Sequence, residues 1–139
     1  MGTKNKWLSR EMVSLPQYLT LCTTAKQFAS VMKHLKVPKS DRPSWLGQGA
    51  NASVHTFEKL IDGKNHTCSV VCMPVDEDTN SISVYGLLVH EAVHVWQTAV
   101  EIKGEDKPSS EFEAYSIQSI AETLMYEYDR QTKRKSSAK

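Results

Sequence analysis

The chain has 139 residues, 40% hydrophobic and 24% charged, with a formal net charge of +1, which fits one globular domain and excludes collagen-like or disordered classes. No apolar run approaches the ~20 residues of a membrane span, and the first residues lack an apolar leader stretch, so a cytoplasmic location is expected. Charge is uneven: residues 1–10 carry +3 and residues 129–139 carry +4, leaving −6 between them. A basic end on an acidic body could touch nucleic acid, but the expectation is a solvated tail without a nucleic-acid role.

Residues 1–22 have no clear periodicity, and Pro16 interrupts any helix begun near Ser9. We read them as an N-terminal segment, followed by a domain over 23–128 and a basic tail over 129–139. The spacing of Phe28, Val31, Met32 and Leu35 predicts a helix over 23–36, capped by Thr23 or Thr24 and stopped at Val37-Pro38. Prolines and glycines make 38–52 a loop, with Trp45 and Leu46 as its anchors. Three strand-like runs follow: 53–61, 66–75 and 81–85, the last being the alternating Ser-Ile-Ser-Val-Tyr. Two helices over 86–103 and 111–128 complete the order. The expected fold class is α+β: an N-terminal helix, a small three-stranded sheet, then two helices.

Cys22, Cys68 and Cys72 are an odd set, and without a leader stretch reduced thiols are expected. Cys68 and Cys72 are four apart on a strand, ~13 Å at ~3.3 Å per residue, too far to share a disulfide or a metal. They are read as core thiols.

The chemistry centres on His90-Glu91-Ala92-Val93-His94. A shuffled chain of this composition shows a His-Glu-x-x-His run about once in a hundred, so chance explains it poorly. On a helix, residues four apart share a face, so both imidazoles can hold one metal ion, and Glu91 can reach a water on that ion. His94, Gln97 and Glu101 fall within about 40° of His90 at ~100° per residue, forming a narrow polar stripe beside an apolar face. A catalytic zinc needs a third protein ligand. A third histidine in the pattern His-x-x-Gly-x-x-His is excluded, because Gln97 and Val100 stand there. Glu111 and Glu113 remain. Glu113 shares its stripe with Ile117, Ile120, Ala121 and Leu124, whereas Glu111 leads into Tyr115, Gln118 and Glu122; Glu113 is therefore the chosen ligand. Ser110-x-x-Glu113 is also a capping box, in which Glu113 would bond back to the backbone. Tyr85 and Tyr115 are candidate oxyanion donors with packing as the plainer role, and His55 and His66 are read as surface residues.

With Glu113-Ala114 nineteen residues after His94, the pattern resembles the gluzincin metallopeptidases and, in size and element order, the minigluzincins. That resemblance implies Zn²⁺ held by His90, His94 and Glu113, Glu91 as general base, and a peptide or protein substrate lying along an exposed edge strand, either 53–61 or 81–85. The chain departs from the family at Ile117, where an aspartate orienting the first histidine is expected. It also looks like small His-Glu-x-x-His proteins encoded by bacteriophages. That likeness implies an alternative: a structural or assembly protein, virion-associated, that keeps a metal site without proteolysis.

Overall fold

A computed structural model describes residues 7–12, 15–61, 63–75, 80–103 and 109–133. The elements are β1 (Trp7–Met12), β2 (Leu15–Cys22), α1 (Ala25–His34), a short 3₁₀ turn (Lys39–Asp41), β3 (Ser53–Ile61), β4 (Lys64–Cys72), α2 (Ser81–Lys103) and α3 (Ser110–Lys133). The four strands form one sheet in the order β1-β2-β4-β3. β2 and β4 run parallel with Cys22 opposite Cys72, while β1–β2 and β3–β4 are antiparallel.

The class is mixed α and β, as expected, but the sheet differs from the expected three strands. Runs 53–61 and 64–72 are strands, and β1 and β2 join them from the segment before residue 23. Ser81–Tyr85 is not a strand; it is the start of α2. Asn80 explains this, because its Oδ1 accepts from the Ser83 N–H at 2.8 Å and caps the helix. The alternation of Ile82 and Val84 is not a shared buried face: Ile82 is 82% exposed and Val84 7%. Val84 belongs instead to the helical stripe Val84, Leu88, Ala92, Val95 and Ala99, all buried.

The sheet is a middle layer. Alternate residues of a strand face opposite sides. Leu19, Leu21, Val71 and Met73 pack with Leu88, Val95, Trp96, Ile120 and Leu124 of α2 and α3. On the other side Cys22, Val70 and Cys72 pack with Phe28, Val31 and Met32 of α1. Coverage of both faces explains why Ser69–Cys72 is buried without interruption. Thr24 caps α1 by accepting from the Gln27 N–H at 3.1 Å, and Lys36, with φ 59, closes its end in a left-handed turn. Cys72 and Cys22 are hydrogen-bonded thiols in the α1-side core, and that contact together with burial pushes the Cys72 thiol far up. Neither is in a disulfide, and nor is Cys68.

At the far end of α3, a buried polar cluster ties three elements together. The Gln131 side chain donates to the Leu21 carbonyl (3.0 Å) and to Glu127 (2.9 Å), and accepts from the Thr23 hydroxyl (2.7 Å) and the Gln27 amide (3.2 Å). Arg130 forks onto Glu127 with two bonds of 2.7 Å. α3 therefore anchors to β2 and the start of α1 by hydrogen bonds as well as by apolar packing. The basic residues 134–139 lie outside the described residues.

Candidate functional site

The site lies on α2. His90 and His94 stand one turn apart on an exposed face, with ring centroids 4.8 Å apart and planes at 78°. Their Nε2 atoms are 3.2 Å from each other. Two neutral imidazoles at that distance must either share a proton or turn lone pairs toward one cation. At a zinc–nitrogen distance of ~2.0–2.1 Å, the 3.2 Å separation corresponds to an N–Zn–N angle of about 100–106°, close to tetrahedral. The pair fits one metal ion.

Gln97, one turn on, reaches back to His94: its Oε1 is 3.3 Å from Nδ1. A proton on Nδ1 directed at that oxygen leaves the Nε2 lone pair toward His90, the orientation a ligand needs. In the sequence Gln97 stands on the polar stripe with His90 and rules out a third histidine, without a role toward His94. Its i,i+3 spacing from His94 is the signal that could have revealed this role.

Glu91 lies about 100° round the helix from His90 and is 5% exposed. Burial raises its carboxyl above the usual carboxylate range, while the neighbouring His90 and His94 charges pull it back down.

The residues in front of Glu91 form a cleft between α2 and β3. One cavity of about 670 Å³ is lined by Ala52, Met73, Val84, Leu87, His90 and Glu91, among others. A second of about 470 Å³ is bordered by Ser53, Val54 and Thr56 of β3 and by His90, Glu91 and His94. β3 is an outer strand of the sheet. Of the two runs expected to offer an edge beside the metal helix, 53–61 is the strand and 81–85 is helical. The loop before β3 is tied down by Ser53, whose hydroxyl accepts from the Gly47 N–H at 2.9 Å.

Glu113 does not stand with the histidines. Its Oε2 accepts from the Trp96 indole N–H at 3.0 Å, and Trp96, 2% exposed, packs edge-on against Phe112 at 5.4 Å. Among the described residues no group of three or more histidine, cysteine, aspartate or glutamate side chains is placed to hold a metal. The capping role is also not taken by its carboxylate: the Phe112 N–H is capped by the Ser109 hydroxyl at 3.2 Å. Glu111 is exposed at the start of α3, and Ile117 packs against the core.

The remaining candidates have other work. Tyr85 donates to Asp129 at 2.7 Å, joining the start of α2 to the end of α3. Tyr115 is 62% exposed. The His55 ring lies against Phe28 with centroids 5.1 Å apart, and its Nε2 is 3.1 Å from the Trp45 carbonyl. His66 meets Tyr18 edge-on at 5.6 Å. Among the described residues no helix is long and apolar enough to cross a membrane.

Compared with known proteins, the chain matches no family model, no curated protein and no solved structure.

Proposed function

We propose that this protein is a zinc-dependent hydrolase of the peptidase type, acting on peptide bonds of a peptide or protein substrate. The observation that carries the reading is the His90–His94 pair, with Nε2 atoms 3.2 Å apart, on the rim of a cleft whose wall includes buried Glu91. Zinc held there would supply Lewis acidity and a coordinated water of pKa lowered toward ~7. Glu91 takes the proton of the attacking water and returns it to the leaving amine. Gln97 holds His94 in the ligand tautomer. The outer edge of β3 receives the substrate as an added strand through main-chain hydrogen bonds, and the adjoining cavity accommodates side chains near the scissile bond.

A second reading is a protein that keeps the metal site without proteolysis, for example a structural or assembly component. It is favoured by Glu113, which is bonded to Trp96 and leaves the histidine pair without that third ligand. Digestion of a broad peptide library with zinc-loaded protein separates the two. The proposed hydrolase cleaves, and Glu91→Gln abolishes cleavage while zinc content stays at the wild-type level. Zinc bound by wild type with no cleavage of any peptide favours the second reading.

A further inference from the structure

Cys22 and Cys72 end the two parallel strands at the centre of the sheet. Each is the last residue of its strand, and they stand opposite one another in the β2–β4 register. Both side chains face α1, fully buried in a cluster with Phe28, Val31, Met32 and Val70. Neighbouring strands run ~4.8 Å apart, inside the ~4.4–6.8 Å Cα span that a disulfide bridges. The register is pinned at the pair itself, because the Met73 N–H donates to the Cys22 carbonyl at 3.0 Å. The two thiols are hydrogen-bonded to one another. Cys68 is placed differently: it stands opposite Tyr18 and is ~13 Å from Cys72 along β4 at ~3.3 Å per residue.

We propose that Cys22 and Cys72 are a modification site: a small-molecule disulfide oxidises the pair to a cross-strand disulfide that staples β2 to β4, and Cys68 stays a thiol. The thiolate of one cysteine attacks the S–S bond of the oxidant, giving a mixed disulfide and releasing one thiolate. The thiolate of the second cysteine then displaces the other half. Two S–H bonds are lost, one protein S–S bond forms, and the oxidant leaves as two thiols that carry both protons. Burial beneath α1 and the bond between the thiols hold the proton on Cys72, whereas the thiolate is the attacking species. Exchange therefore proceeds while α1 is off the sheet, during folding or local opening, and docked α1 protects whichever state has formed. The staple closes a loop of about fifty residues, which restricts the unfolded chain and stabilises the fold. It is independent of any metal at the histidine pair.

The test is refolding of the full chain from urea in a buffer of reduced and oxidised glutathione, beside a sample kept fully reduced. Starting from the unfolded chain exposes every thiol to the oxidant. After trapping and denaturation, the thiol count falls from three per chain to one, with no glutathione in the mass and a peptide map that joins Cys22 to Cys72. The oxidised chain unfolds roughly 5–15 °C above the reduced one. That gain persists in Cys68→Ala and is absent in Cys22→Ala and Cys72→Ala, each compared with its own reduced sample. The proposal is overturned if three thiols remain, if they are lost to glutathione adducts, or if the bridge involves Cys68. It is equally overturned if the oxidised wild type unfolds at or below the temperature of the reduced one. Where an alanine variant does not fold, the wild-type peptide map and the wild-type shift still decide between these outcomes.

Discussion

At the scale of single residues, the His90–His94 pair is organised by its neighbours as much as by its own spacing. Gln97 is exposed and packs little, so Gln97→Ala should leave folding intact. Loss of its contact to His94 Nδ1 should nevertheless weaken zinc binding by about tenfold, the lower end for an outer-shell partner; chelator competition measures this. Gly86 tests a different point. It sits inside α2, exposed, and a β-carbon added there would meet no atom within 4 Å. Gly86→Ala should raise stability by about 0.5–1 kcal/mol in urea unfolding, because the flexible residue costs the helix entropy and the methyl group meets nothing. The histidine pair and Glu91 are legible in sequence because they are local: a five-residue run fixes their relation once the segment is helical. Glu113 is legible only as a residue on the inner stripe of its helix. Its actual partner, the Trp96 indole, is set by how α2 and α3 pack, which periodicity does not encode.

Among the elements, α2 carries both the clearest signal and the most misleading one. Its apolar stripe is plain from Val84 to Ala99, but its first turn reads as a strand because Ile82 and Val84 alternate with serines. The capping residue decides the matter: Asn80 accepts from Ser83, and the Val84 N–H bonds to the Asn80 carbonyl at 3.2 Å. Asn80→Ala should therefore cost about 1 kcal/mol in denaturant unfolding, with the loss of protection in hydrogen exchange concentrated in the first turn of α2. A strand at 81–85 would show no such effect. α1 is legible because cap, stripe and stop signal all agree: Thr24, then Phe28, Val31 and Met32, then the turn at Lys36 before Pro38. β2 is not: its pairing with β1 has a shifted register, and its other partner, β4, is distant in sequence and parallel to it. Parallel pairing leaves no hairpin turn in the sequence to reveal it.

On the scale of the whole molecule, the sheet holds α1 against one face and the α2–α3 pair against the other, and the cleft opens where α2 passes β3. The site is thus set between α2 and an outer strand, supported from behind by α3. The Gln131 cluster closes this arrangement by linking α3 to β2 and α1. Gln131→Ala leaves the Leu21 carbonyl and the Thr23 hydroxyl without this buried partner, and should destabilise the fold by about 2–3 kcal/mol; thermal unfolding measures it. The central claim is that His90 and His94 hold one metal ion on the rim of this cleft. Metal analysis of the full chain after equilibration with Zn²⁺ and desalting at neutral pH tests it most directly. The expected result is about one zinc per chain in wild type and in Glu91→Gln, and none in His90→Ala or His94→Ala. Zinc absent from wild type, or retained when either histidine is removed, would contradict it.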